Sequence, residues 1–146
     1  MHTIVLASSK SPCPLDAEPS SAPTPNKGYV QAYRFDSGTS QFIALGSKIF
    51  GKENRDGFGW SVDITDDGMY VAVGAPFRGN ERGYAQVYRF DTSNSDWEEV
   101  GDFEGPAPQT DSISHGEGQR LGAAVALSGS GPRVAIGSSR WSVRPG

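Results

Sequence analysis

Gly28-Tyr29-Val30-Gln31-Ala32-Tyr33-Arg34-Phe35-Asp36 returns as Gly83-Tyr84-Ala85-Gln86-Val87-Tyr88-Arg89-Phe90-Asp91, an offset of 55 residues. The two stretches differ only where Val30 and Ala32 give way to Ala85 and Val87. Such a recurrence identifies a repeat architecture, in which one supersecondary unit is stacked on its neighbours. A second unit recurs as well. Gly59 to Gly74 aligns with Gly122 to Gly137 at an offset of 63, sharing Gly59/Gly122, Val62/Val125, Gly68/Gly131, Val71/Val134, Ala72/Ala135 and Gly74/Gly137. A partial third copy opens the chain, because Thr3-Ile4-Val5-Leu6-Ala7-Ser8-Ser9-Lys10 follows the pattern of Arg133 to Arg140. The chain therefore begins within one repeat and ends within another.

Each unit reads as four short strands. Phe58, Trp60, Val62 and Ile64 alternate with other residues, the period-two pattern of a half-buried strand over Phe58 to Thr65. Asp66-Asp67-Gly68 turns the chain, Asp-Gly being a strong hairpin dipeptide. Tyr70 to Ala75 is apolar on both faces, as an interior strand should be, and Pro76 ends it before a turn at Arg78-Gly79-Asn80. Tyr84 to Phe90 and Trp97 to Phe103 supply the third and fourth strands. Further strands are predicted near 3–9, 28–36, 41–46, 121–128 and 132–138, and no window shows helical periodicity. The expected fold is all-β, in four-stranded antiparallel blades. Residues 1–52 hold the last three strands of one blade, 53–108 a complete blade, and 109–146 the first two strands of another. The segment 11–27 contains five of the 10 prolines and little to bury, so it reads as an extended loop.

Phe58-Gly59 followed by Gly74-Ala75-Pro76, within Asp56-Gly57-Phe58-Gly59-Trp60-Ser61-Val62…Gly74-Ala75-Pro76…Gly83-Tyr84, resembles the FG-GAP repeat of integrin-α-type β-propellers. In the third copy Leu121-Gly122 stands for the FG pair and Gly137-Ser138-Ser139 for the GAP triplet. The resemblance implies blades circling a central channel, with Phe58, Gly59, Gly74, Ala75, Pro76, Gly122 and Gly137 as motif residues. It also implies a non-catalytic protein-binding or adhesion module, extracellular or at the cell surface, belonging to a longer chain with further blades. Two alternatives stay open: a carbohydrate-binding propeller that uses Trp60, Trp97 or Trp141 as a stacking platform, and the accessory propeller of a larger enzyme. Closed propellers take about four to eight blades. Two partial blades around one complete blade would leave Val71, Val73, Val87 and Phe90 only partly shielded, and the isolated chain is expected to be marginally stable and either to self-associate or to become a well-behaved monomer only when more blades are appended.

Chemistry-bearing motifs are few. Integrin-type repeats often carry a calcium loop, and Asp63, Thr65 and Asp67 occupy its first, third and fifth positions, followed by Gly68. Calcium takes six to eight oxygens. Two carboxylates in a short loop, and none in the equivalent Ala126 to Gly131, favour a plain hairpin, so no cofactor is expected. Gly57-Phe58-Gly59 opens a strand, whereas a dinucleotide fingerprint needs a helix N-terminus. His2 and Cys13 have nothing to orient them as a nucleophilic pair, and His115 reads as a loop residue. One cysteine and two histidines are too few for a zinc site without carboxylates. The net charge of −4 carries no nucleic-acid footprint, and no apolar run exceeds about seven residues, far below a membrane span. Tyr33, Phe35, Tyr88 and Phe90 recur with the repeat and are assigned to packing. Trp60 does not recur, since Ala123 takes its place.

Overall fold

The computed structural model describes residues 3–8, 27–106, 119–130 and 133–139, and among them nine strands form three antiparallel sheets in chain order. The first sheet holds β1 (Thr3–Ser8), β2 (Tyr29–Asp36) and β3 (Gln41–Phe50). The central sheet is a meander of β4 (Ser61–Ile64), β5 (Tyr70–Ala75), β6 (Tyr84–Asp91) and β7 (Asp96–Glu104). The last sheet pairs β8 (Leu121–Leu127) with β9 (Val134–Ser138). The fold is all-β. Among the described residues the one helical element is a single turn, α1 (Arg78–Glu81), where the sequence pattern predicts a simple turn. Residues 11–26 of the proline-rich segment lie outside the described residues.

Two strand boundaries differ from the sequence pattern. The strand expected from Phe58 begins only at Ser61. Positive φ angles at Gly57 and Gly59 turn the backbone there, so Phe58 is driven into the core while Trp60 points outward. Alternation continues across a sharp turn as readily as along a strand, which is why the pattern overreaches. Strand β3 runs to Phe50, beyond the expected 46, because the β2–β3 ladder shifts register between Val30 and Ala32 and then resumes with Val30 opposite Ile49. A bulge of this kind adds residues to one strand without ending the pairing.

The repeat recurs in register. Strand β1 pairs with β2 from Thr3↔Arg34 to Ser8↔Tyr29, and β5 with β6 from Tyr70↔Arg89 to Ala75↔Tyr84. These six pairs are superposable by the sequence offsets. Likewise β4–β5 pairs Ile64 with Val71, and β8–β9 pairs Leu127 with Val134.

The core lies between the first and central sheets. Val30 meets Phe58, Val71, Val73, Ala75, Tyr84 and Tyr88, with Ile49, Val62, Ile64 and Trp97 packed around them. On the opposite face of the central sheet, β8 packs across β4 and β5. This overturns one expectation: Val71, Val73 and Val87 are fully buried rather than half-shielded, and only Phe90 remains partly open. Two incomplete sheets suffice because the inner strands need cover only over their own width, and small residues such as Ala72 and Ala85 let the neighbours approach closely. Burying each such valine contributes about 1.5–3 kcal/mol.

Candidate functional site

The joints between sheets are built from the motif glycines. A Cβ on Gly28 would lie 2.0 Å from the Phe58 carbonyl oxygen, and one on Gly83 would lie 2.2 Å from that of Leu121. Leu121 replaces Phe58 in the repeat, so the same backbone contact joins the first sheet to the central one and the central sheet to the last. The turn hydrogen bonds recur too: Trp60 N donates to Gly57 O and Ala123 N to Arg120 O, while Gly51 N donates to Gly28 O and Gly105 N to Gly83 O. Gly74 and Gly122 face one another so closely that a Cβ on Gly74 would fall 2.0 Å from the Gly122 carbonyl oxygen. Gly59, Ala75 and Pro76 are buried beside them, and Gly137 is half-buried against Ala124.

Asp56, quoted in the sequence only as the lead-in to the motif, organises the first joint. Its carboxylate is 1% exposed. It accepts hydrogen bonds from the Phe58 N–H (3.0 Å), the Glu53 N–H (3.2 Å) and the Tyr84 hydroxyl (2.5 Å). Tyr84 Oη in turn accepts from the Lys52 N–H at 3.0 Å, and its ring stacks on Phe58. Burial, then the bond to Asp56, pushes the Tyr84 phenol well above its ordinary value. Buried acids of this kind are tolerated when every oxygen finds a donor. The signal available in the sequence was an acidic residue two places before a buried Phe, with a tyrosine at the start of the third strand.

The calcium-loop positions are occupied by structural hydrogen bonds. Asp63 Oδ2 accepts from the Leu127 N–H of β8 at 2.6 Å, tying the central sheet to the last. Thr65 donates its hydroxyl to Asp67 Oδ1 (2.6 Å) and accepts from the Tyr70 N–H, while Asp67 Oδ1 also accepts from the Met69 N–H. The Thr65 hydroxyl, then the Met69 amide, hold the Asp67 carboxyl below its usual value. Thr65 and Asp67 are thus brought together, and the Asp63 carboxylate is bound across the sheet joint. Among the described residues no group of three or more His, Cys, Asp or Glu forms a metal-holding cluster.

Two surface features remain. At one end of the central sheet a pocket of about 100 Å³ is lined by Glu53, Arg78, Gly79, Arg82, Gly83 and Glu104. Arg78 bonds Glu53 at 2.9 Å and also Glu104, and Lys52 bonds Asp102 at 2.5 Å. The paired charges raise the Arg78 pKa and lower that of Glu104. Arg82 donates to the Gly105 and Pro106 carbonyls. Nearby, Trp60 is 49% exposed and sits edge-on to Phe77 at 5.0 Å, and the Arg120 guanidinium lies over the other aromatic at 5.7 Å. Arg120 is held there by Glu81.

The remaining aromatic assignments divide. Tyr88 is buried, Tyr33 and Phe90 are half-buried, and Phe35 is exposed, lying edge-on to Phe42. Trp97 is no free platform, because its indole N–H donates to the Leu45 carbonyl at 2.8 Å and its ring packs on the core. His2, Cys13, His115 and Trp141 lie outside the described residues. Gly57-Phe58-Gly59 precedes a strand, not a helix. No helix of the described residues is long and apolar enough to cross a membrane. A scan against protein-family models gives no match for the chain, and no curated protein matches it.

Proposed function

We propose that the chain is a run of FG-GAP-type blades from a β-propeller, acting without catalysis as a protein-binding module of the adhesion type at the cell surface. The observation that carries this reading is the repeated joint. Gly28 against Phe58 and Gly83 against Leu121 are the same contact one unit apart, and a contact repeated between successive sheets is what neighbouring blades of a propeller would share. The family resemblance supplies the ligand class and the compartment. Calcium has no part in the reading, since Asp63, Thr65 and Asp67 are engaged in holding the hairpin and the sheet joint.

Trp60 is the recognition residue on this reading. It is a large exposed aromatic at a position the next repeat fills with Ala123, and recognition sites are enriched in such anchors with arginine beside them. The same indole favours the carbohydrate alternative, where a sugar would stack on it. Binding of the labelled chain to immobilised cell-surface and matrix proteins, run beside a glycan array, separates the two. The expected result is saturable protein binding, weakened at least tenfold by Trp60→Ala and by Arg120→Ala, with a blank glycan array. Glycan binding that disappears with Trp60→Ala would replace the proposal with the lectin reading, and turnover of a substrate abolished by substitutions lining the Arg78 pocket would replace it with an enzymatic one.

A further inference from the structure

In the central sheet the β5–β6 connection, residues 76–83, reaches onto the turn that opens the next sheet. The Arg120 N–H donates to the Glu81 carbonyl at 2.7 Å and the Leu121 N–H to the Arg82 carbonyl at 3.0 Å, while the Glu81 carboxylate holds the Arg120 guanidinium. The repeat matches that turn, Arg120 to Ala123, with Gly57 to Trp60, and it matches the β5–β6 connection with the β1–β2 connection, residues 9–28. Gly28 keeps the correspondence, its Cα lying against the Phe58 carbonyl as that of Gly83 lies against Leu121. The β1–β2 connection is more than twice as long as its counterpart, and it contains Pro12, Pro14, Pro19, Pro23 and Pro25. We infer that residues 11–25 of this connection occupy the exposed surface of Trp60, with Pro23 and Pro25 against the indole.

The platform is preformed. The Trp60 and Phe77 rings stand at 84° with centroids 5.0 Å apart, and 49% of Trp60 stays open. Phe77 is fixed from three directions: its N–H donates to the Asp56 carbonyl at 3.0 Å, its ring lies against Gly57, and the Arg120 guanidinium sits over it. Trp60 belongs to the turn before β4, with the first sheet on one side and the last on the other, so its exposure owes nothing to either end of the chain. From Phe58, where Gly28 rests, to Trp60 is two residues, at most about 7 Å of backbone. A proline-rich stretch extends about 3.1 Å per residue, which brings Pro25, three residues before Gly28, within reach of the indole. Proline suits such a surface, because its apolar ring stacks on an aromatic and its fixed φ leaves little freedom to lose on docking. Tethering holds the segment at a millimolar effective concentration, so weak stacking suffices. Residues 107–118, which lead towards Arg120, contain Pro108 alone and offer fewer rings. The inference gives Trp60 an occupant within the chain, and it stands whether or not an adhesion-type partner binds there.

Nitrogen-edited NMR of the full chain tests this at the indole N–H of Trp60, the resonance that Trp60→Phe removes. The double substitution Pro23→Ser/Pro25→Ser should shift that resonance and leave the Trp97 indole, bonded to the Leu45 carbonyl, where it is, which also shows that the fold is intact. Replacing residues 11–25 by an equal length of glycine and serine should give the same shift. A synthetic peptide of residues 11–27, added to the doubly substituted chain, should return the Trp60 resonance saturably towards its original position. The intact chain, whose own segment competes, should bind that peptide at least fivefold more weakly. The peptide with serine at 23 and 25 should also bind at least fivefold more weakly. A Trp60 resonance unmoved by both segment variants, or equal peptide affinity for the intact and substituted chains, would overturn the inference. So would a shift produced by Pro108→Ser and not by the Pro23 and Pro25 substitutions, which would make residues 107–118 the occupant.

Discussion

The hydroxyl of Tyr84 donates to the buried carboxylate of Asp56 at 2.5 Å, across 28 residues of chain, and fixes the start of the third strand of the central sheet to the turn that precedes the first. The same carboxylate caps the Phe58 and Glu53 amides. One side chain therefore holds the turn that buries Phe58 and the tyrosine that stacks on it. Asp56→Ala leaves three donors without an acceptor, each costing about 1–3 kcal/mol when buried. We expect a loss of at least about 3 kcal/mol by denaturant unfolding. Tyr84→Phe leaves Asp56 two donors and takes the acceptor from the part-buried Lys52 N–H, so it should cost about 1–2 kcal/mol, less than Asp56→Ala. Equal losses would show that the carboxylate contributes only through the tyrosine.

The pH dependence follows from the two buried tyrosines. Burial raises the pKa of Tyr84 and of Tyr88 above the ordinary value of 10.0. In the folded state both phenols hold their protons where the unfolded chain has lost them. Their contribution is complete below about pH 10 and is lost as pH rises beyond it, because the unfolded state then binds fewer protons than the folded one. Stability should fall on the alkaline side, and more gently in Tyr84→Phe. Denaturant midpoints measured from pH 8 to pH 11.5 check this, and a flat profile would contradict it.

Gly122 has φ +88° and lies with its Cα side against Gly74 and the Tyr84 carbonyl. Gly122→Ala combines a left-handed backbone with a contact no Cβ tolerates, and we expect a loss of about 2–5 kcal/mol. Gly137→Ala meets Ala124, its Cβ at 3.2 Å and its carbonyl oxygen at an ordinary 3.5 Å, and should cost under about 1 kcal/mol. Thermal melts of the two variants side by side give the comparison.

Calcium at 1 mM should leave the melting temperature unchanged, and calorimetric titration should show no micromolar site. The Asp67 oxygen already accepts from Thr65 and Met69, and Asp63 is spent on the Leu127 amide. A micromolar site abolished by Asp67→Ala would show that these bonds rearrange around the ion.

Trp97 and Trp60 should separate stability from recognition. Trp97→Ala removes a ring packed on the core and the donor to the Leu45 carbonyl, with an expected cost of about 3 kcal/mol or more. Trp60→Ala, half in solvent, should stay within about 1 kcal/mol by the same measurement.

The repeat, its offsets and the all-β class were legible in the residues alone. Recurring Gly-Tyr-x-Gln-x-Tyr-Arg-Phe and alternating apolar positions report local backbone preference and one face of burial, and those are local properties. The register identity of β1–β2 and β5–β6 followed the same offsets, because the near-identical β2 and β6 meet strands of similar apolar pattern. Three things needed the tertiary structure. Phe58 looked like a strand residue, yet the left-handed turns at Gly57 and Gly59 bury it, and the alternating pattern is the same either way. Asp63 and Asp67 had the spacing of calcium ligands; Asp67 is engaged by Thr65 and Met69 within its own turn, whereas Asp63 finds the Leu127 amide of β8, 64 residues along the chain, which spacing does not encode. Asp56 carries no local mark of its role, because a carboxylate becomes a structural centre only once Tyr84, 28 residues away, closes over it. Local sequence determined which strands form, but not where β4 begins or how the β2–β3 ladder shifts at its bulge. Which polar groups became the joints between sheets was decided by long-range packing, where burial makes each donor and acceptor find a partner.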